Sequence, residues 1–249
     1  MRYLVLTDIH ANLEALDACL ADSRERGFDR TLVLGDVVGY GPDPGAVIER
    51  VQELDPAGLV RGNHDKVACG LEQPEGFNVV ARNAALWTFY ALSPEHRAWL
   101  AGMAKGPQNI DKLIEICHGS PVDEDAYIFD ELDALRALKI AERPLCLFGH
   151  THYPVAFEQG RATDIVDVIA LARSPQLEIA LHAEARYLFN PGAVGQPRDG
   201  DPRAAYAIVD SDRLVVELFR LPYPVEVTQA KIIKAGLPEM LAQRLAVGR

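Results

Sequence analysis

Residues 58–65 read Gly58-Leu59-Val60-Arg61-Gly62-Asn63-His64-Asp65. The apolar run at the start predicts a short buried strand. Asparagine is disfavoured inside strands and Gly-Asn is a turn signal, so the strand ends at Gly62-Asn63. A strand that stops there delivers three polar side chains to one place. Asn63 offers a neutral oxygen to a cation. His64 offers a ring nitrogen that holds or releases a proton near neutral pH. Asp65 offers a carboxylate to orient that ring. A single tetrapeptide of this kind also fits an ordinary turn with an incidental histidine. The rest of the chain decides between the two readings.

On the N-terminal side, residues 3–6 form an apolar run that ends in Thr7-Asp8-Ile9-His10. Positions i and i+2 of an extended chain point the same way, so Asp8 and His10 are expected side by side. A carboxylate beside an imidazole suits a transition-metal ion. Asn12 reads as a helix cap, Leu13, Leu16 and Leu20 follow helical spacing, and Gly27 ends the helix after Arg26. Residues 31–34 predict a second strand, which runs into Gly35-Asp36-Val37-Val38-Gly39-Tyr40-Gly41 and places Asp36 just past its end. A short helix over 47–54 then leads to the strand quoted above. The pattern is β-α-β-α-β, with a potential ligand at each strand's carboxyl end, the edge on which open parallel sheets bind ligands.

On the C-terminal side, residues 77–92 predict a helix packed through Trp87, Phe89 and Tyr90, and Ser93-Pro94-Glu95 caps another. His96 lies on the latter, between Glu95 and Arg97, and reads as solvated. Residues 113–117 predict a strand ending at His118-Gly119, and residues 144–148 one ending at Gly149-His150-Thr151-His152, with an amphipathic helix over 131–140 between them. Five of the seven histidines (His10, His64, His118, His150, His152) thus directly follow an apolar strand. From Tyr153 the pattern turns to alternation, predicting strands at 155–157 and 177–181 and a hairpin joining 205–210 to 214–221. Residues 160–176 fit helix and loop equally. His182 reads as structural or exposed. The turn-rich segment from Asn190 to Arg198 is expected to return to the strand ends, and residues 226–246 predict a helical tail broken near Gly236-Leu237-Pro238.

The chain has 249 residues and a formal net charge of −11. That length accommodates a large core, and the absence of repeats or linkers predicts one domain over 1–249. The charge argues against general affinity for nucleic acid or anionic membranes. A phosphate substrate remains compatible, because bound cations reverse the local field. No stretch is long enough to span a bilayer, and no signal-peptide core follows Met1, so a cytoplasmic protein is expected. Cys19, Cys69, Cys117 and Cys146 lack metal-site spacing and read as free thiols.

Asp8, His10, Asp36, Asn63, His118, His150 and His152 together are too many ligands for one four-coordinate ion. They suffice for two if a carboxylate is shared. An oxygen-and-nitrogen set without thiolate suits a dinuclear hydrolytic centre, in which two ions lower the pKa of a shared water and hold a phosphoryl oxygen. His64 is then left to face the substrate and to stabilise or protonate the leaving oxygen.

These motifs, taken in order from Asp8-x-His10 to Gly149-His-Thr-His152, resemble those of the calcineurin-like metallophosphoesterase superfamily. The branch they resemble is that of the small bacterial phosphodiesterases and diadenosine-tetraphosphatase-like proteins. The resemblance implies an α/β fold, a four-layer αββα sandwich of two mixed β-sheets flanked by helices. It implies that Asp8, His10, Asp36 and His152 bind one divalent ion (Mn, Fe, Zn or Ni), and that Asp36, Asn63, His118 and His150 bind a second, with Asp36 bridging. His64 matches the family's catalytic histidine. The implied activity is metal-dependent hydrolysis of a small phosphate ester, a diester in preference to a monoester, by attack of a metal-bridging hydroxide. Nucleotide pyrophosphatase, protein phosphatase and a non-catalytic binding scaffold are the alternatives. The family often has serine at the position of Ala193. The protein-phosphatase branch often has an arginine after its Gly-Asp motif, where this chain has Val37-Val38-Gly39-Tyr40. Arg198 is a candidate for gripping the phosphate, since arginine binds it bidentately, with an ion pair to Asp199 or Asp201 as the competing assignment. Residues 160–186 are a candidate substrate-facing wall.

Overall fold

Alternation along the first strand separates two cores. The computed structural model describes residues 1–160, 163–169, 171 and 173–249. In β1 (Arg2–Leu6), Leu4 and Leu6 pack outward with the apolar face of α1 (Leu13–Arg26) and with Val47, Ile48 and Val51 of α2 (Pro44–Glu53). Tyr3 and Val5 point the other way, into a core between two sheets that also takes Ile114, Ile116, Leu145 and Leu147. This is the two-residue period of a strand buried on both faces.

The first sheet has the spatial order β3 (Gly58–Leu59), β2 (Arg30–Val33), β1, β11 (Ala204–Asp210), β12 (Val215–Leu221), β9 (Gln176–Ala180). The second runs β4 (Gln108–Asn109), β5 (Ile114–Ile116), β6 (Leu145–Leu147), β10 (Ala185–Asn190), β7 (Val155–Gly160), β8 (Val166–Ile169). β1, β2 and β3 are parallel, as are β5, β6 and β10, while the remaining pairings are antiparallel. α6 (Glu131–Ile140) covers the outer face of the second sheet through Ala134, Ala137 and Leu138, against Cys146, Phe148, Phe157 and Leu188. The result is the helix–sheet–sheet–helix sandwich of two mixed sheets that the resemblance implies. Among the described residues no helix is long and apolar enough to cross a membrane.

The capping signals hold at both ends of α1: Asn12 accepts from the Ala15 N–H at 3.2 Å, and Gly27 follows the last turn with φ 77°. α3 (Asn63–Cys69), α4 (Val79–Ala91) and α5 (Pro94–Ala101) follow β3, and the tail forms α7 (Val225–Lys234) and α8 (Glu239–Leu245). α4 buries Ala81, Ala84, Ala85 and Thr88. Tyr90 lies two residues past Thr88, on the opposite side of the helix, and is 79% exposed, so it is not a packing residue. The four cysteines are free.

The ambiguous segment holds β8, and β8 and β9 form outer edges of the two sheets. Residues 161, 162, 170 and 172 lie outside the described residues.

Candidate metal centre

β1, β2, β3, β5 and β6 bring their carboxyl ends to one rim where the two sheets meet. The first sheet supplies Asp8, His10, Asp36 and Asn63, and the second supplies His118, His150 and His152. An extended i, i+2 pairing is not what aligns them. Asp8, His10, Asp36, His150 and His152 have φ of 50, 48, 50, 67 and 61°. The left-handed region is uncommon outside glycine and strains a side-chain-bearing residue by about 1–3 kcal/mol. The sharp reversals turn both members of each His-bearing pair into the rim.

The convergence is tight. One ligand atom from each of Asp8, His10, Asp36 and His152 lies within 4.8 Å of the others, and the same holds for Asp36, His118 and His150. Asp36 is common to both groups: its Oδ2 is 3.4 Å from His10 Nε2 and 3.5 Å from His118 Nε2. All six residues are buried. Each imidazole is held from behind by a backbone carbonyl. His10 Nδ1 lies 3.1 Å from Val38 O, His118 Nδ1 2.8 Å from Leu34 O, His152 Nδ1 2.5 Å from Gln196 O, and His150 Nε2 3.1 Å from Asp125 O. A carbonyl accepts only, so it fixes a proton on the near nitrogen and turns the far one toward the rim, where its lone pair can bind an ion once any second proton has left, the usual support of a metal-binding histidine. Asn63 Oδ1 is buried without a partner and His118 Nε2 faces only the Asp36 carboxylate, and a cation satisfies both. The donor set therefore fits two divalent ions. A third acidic group, Glu72, Glu124 and Asp125, already surrounds a cation, the Lys66 ammonium, at 2.9, 3.3 and 2.6 Å.

Burial dominates the electrostatics. It raises Asp8 to about 7. It lowers His10 and His152 well below the usual imidazole value, and His150 to about 3. Burial also opposes charge on His118, but the facing Asp36 and Asp8 carboxylates outweigh it and hold this ring up at about 10. Asp36 is held well below the carboxylate range because the surrounding imidazoles outweigh its own desolvation.

His64 sits beside this cluster. Its ring lies 4.3 Å from that of Tyr40, 4.6 Å from Phe77 and 5.0 Å from His10, and its backbone N–H donates to Asp36 Oδ1 at 2.9 Å. Burial lowers its pKa to about 4, so the ring is neutral at pH 7. Asp65 does not orient it. That carboxylate accepts the Gly62 N–H at 2.9 Å and the Val38 N–H at 3.1 Å, closing the start of α3 onto the Asp36 loop. A Cβ on Gly62 would collide with Asp36 Oδ1, and one on Gly39 would sit 2.5 Å from His64 Nδ1.

The cluster opens into a cavity of 220 Å³ whose walls include Asn63, His64, Phe77, Tyr127, Arg198 and Arg244. Arg198 makes no ion pair with its acidic neighbours: Asp199 pairs with Arg220 at 2.6 Å and Asp201 with Arg203 at 2.6 Å. Its Nη2 instead reaches Tyr40 Oη and Gln196 Oε1, both at 3.3 Å. The turn-rich loop after β10 returns as expected, with Asn190 Nδ2 donating to Gly149 O at 2.8 Å and the Gly195 N–H to Asp8 O at 2.9 Å. Ala193 is buried and is not in either ligand group. No described residue of 160–186 lines the cavity; pairing to the sheet edges carries that segment away from the rim. His96 faces Glu49 at 3.4 Å, and His182 is exposed. Sequence reasoning missed Tyr127, whose ring stacks on His150 at 4.0 Å, and Arg244 of α8. Neither carries a local signal.

The calcineurin-like phosphoesterase superfamily domain model matches residues 1–213. An uncharacterised protein of Methanocaldococcus jannaschii is 36% identical over 98% of this chain and 97% of its own. The crystal structure of a metallophosphoesterase from Sphaerobacter thermophilus superposes with a TM-score of 0.86 at 38% identity, covering 100% of both chains. Phosphodiesterase YfcE of Escherichia coli is 25% identical over 87% of this chain and 91% of its own.

Proposed function

The chain belongs to the calcineurin-like phosphoesterase superfamily, and from that premise we propose that it hydrolyses small phosphate esters, diesters in preference to monoesters, with two divalent ions. The observation that carries the proposal is the set of four imidazoles, each fixed by a backbone carbonyl, converging on two ligand groups that share Asp36. Asp8, His10, Asp36 and His152 would hold one ion, and Asp36, Asn63, His118 and His150 the other. When bound, the ions supply Lewis-acid polarisation of the phosphoryl group and lower the pKa of water. The preference for diesters follows the named activity of the Escherichia coli relative. The intact ligand set opposes a scaffold role.

The protein's own groups do the rest. His64 lines the cavity and its Nδ1 is buried without a partner; with the proton on Nε2 the ring can donate toward the substrate. Burial keeps the ring neutral, which makes it a hydrogen-bond donor to the departing oxygen, not a store of a full proton. Arg198 lies on the same cavity and is the candidate to grip a phosphate group of the substrate. Phe77 and Tyr40 pack around His64 and hold water away from it.

The test is turnover of bis-p-nitrophenyl phosphate and p-nitrophenyl phosphate by protein loaded with Mn²⁺, beside a His64→Ala variant. The expected result is ion-dependent hydrolysis, faster with the diester. The variant should retain its ions and lose about 10²–10⁴ of the rate. Folded, ion-loaded protein that cleaves neither ester would sink the proposal.

A further inference from the structure

Two guanidiniums, not one, stand on the cavity wall. Arg198 comes from the loop after β10, and Arg244 comes from α8, beyond the residues matched by the family model. They flank the same tyrosine: the Arg198 Cζ lies 5.8 Å and the Arg244 Cζ 6.0 Å from the centre of the Tyr40 ring. That ring is itself 4.7 Å from His10 and 4.3 Å from His64. The pair is therefore one aromatic ring removed from the ligand cluster.

Among the described residues, neither guanidinium has an Asp or Glu carboxylate within ion-pair distance. Arg244 Nε donates to Arg249 O at 2.6 Å. The Gln196 carboxamide lies between the two, 3.3 Å from Arg198 Nη2 and 3.2 Å from the Arg244 Nη atoms. It has one oxygen, so it serves one guanidinium at a time. Arg198 Nε is buried without any partner. Burial and the facing Arg198 charge both lower the pKa of Arg244, as expected of two like charges held close together. Arg249 O belongs to the final residue's carboxyl group and serves Arg244 through Nε alone, while Arg198 has no carboxylate among the described residues. The ligand cluster and both arginines line the same cavity, so a substrate whose scissile phosphate sits at the cluster can extend a second anion toward this pair.

We propose that Arg198 and Arg244 form a second anion subsite, and that the substrate is a phosphate ester carrying a second phosphate group that this subsite receives. The inference rests on the phosphoesterase reading above and deepens it. Arginine suits the role because its planar fork binds phosphate bidentately.

The test is calorimetric titration of Mn²⁺-loaded protein with a matched pair of ligands, thymidine 5′-monophosphate and thymidine 3′,5′-bisphosphate. Wild type should bind the bisphosphate about ten-fold or more tightly. Arg244→Gln should bring the ratio close to one, and Arg244→Lys should keep part of it. Melting curves show whether each variant is folded, and the wild-type ratio stands whatever the variants do. Equal affinities in wild type, or an undiminished ratio in folded Arg244→Gln, would overturn the subsite. Hydrolysis of bis-p-nitrophenyl phosphate is read separately. Turnover with equal affinities removes the subsite alone, whereas a bisphosphate preference without turnover upholds the subsite and removes the hydrolytic assignment.

Discussion

Replacing Asp36 with asparagine separates a shared-carboxylate centre from two independent polar clusters. Asp36 Oδ1 accepts the His64 N–H, and an amide oxygen can keep that bond. Oδ2 is the atom that faces both His10 and His118, and an NH₂ there offers no lone pair to a cation. An ion that binds only the folded chain stabilises it by about 4 kcal/mol at a thousand times its Kd. For a chain of this size each kcal/mol moves Tm by about 2–4 °C, so each ion contributes roughly 10 °C. Wild type should therefore gain about 20 °C in saturating Mn²⁺. His152→Asn, which touches one ligand group, should lose about half of that rise, and Asp36→Asn most of it. Melts with and without Mn²⁺, paired with elemental analysis of ion content, read the outcome. Asp36→Asn that still holds two ions, or that shows the full Mn²⁺-dependent rise, would refute the shared carboxylate.

Three further outcomes are expected. Ion binding should release protons at pH 7: His118, held at about 10, must give up its proton, and Asp8, at about 7, is close to half protonated. Calorimetry in buffers of different ionisation enthalpy should find about one to two protons released, and no release would contradict the charge assignment. Gly62→Ala should lower Tm and ion affinity together, because the added methyl meets the Asp36 carboxylate; an unchanged melt would mean the approach is looser than it looks. The buried Lys66 ammonium ties Glu124 and Asp125 beneath His150, and Glu124, paired with Arg61 and Lys66, titrates below its usual value. A depressed carboxyl stabilises the fold above its unfolded pKa, and that stability is lost as pH falls through the folded value. The wild-type advantage over Glu124→Gln should thus be constant near neutral pH and shrink below about pH 4.5, which acid melts of the two proteins would check.

The parts of the centre that were legible in the sequence are those with local causes. An apolar run followed by Asp-x-His or His-x-His is a strand meeting a turn, and parallel pairing then gathers those turns on one edge. Asp65 was misread because its neighbour in sequence is His64, while its partners are the N–H groups of Gly62 and Val38. Its place three residues after Gly62 is a helix-start signal, and α3 begins there. Tyr90 was misread because an aromatic stripe suggests burial, whereas the small residues of α4 form its buried face. Residues 160–176 resisted because Val166–Ile169 is too short for a period to register. Arg244 was invisible for a different reason. It reaches the cavity only because α7 and α8 fold back over Tyr40 through Ile232, Leu237, Leu241 and Leu245.

The placement of strain bears on what the rim is for. Nine non-glycine residues among those described have positive φ, and five of them are ligand candidates. Unpartnered buried atoms lie there too, at Asn63 Oδ1 and His64 Nδ1. Each feature destabilises the ion-free chain by about 1–3 kcal/mol, which is large against a typical net stability of about 5–15 kcal/mol. A sequence selected only to fold would relax them with glycine at the turns and apolar side chains at the rim. Instead the backbone carbonyls of Leu34, Val38, Asp125 and Gln196 hold the four rings in place, so the geometry is set before any ion arrives. Preorganisation of this kind lowers the reorganisation needed on binding, and it explains why the least comfortable residues of the fold are the ones aimed at a common point.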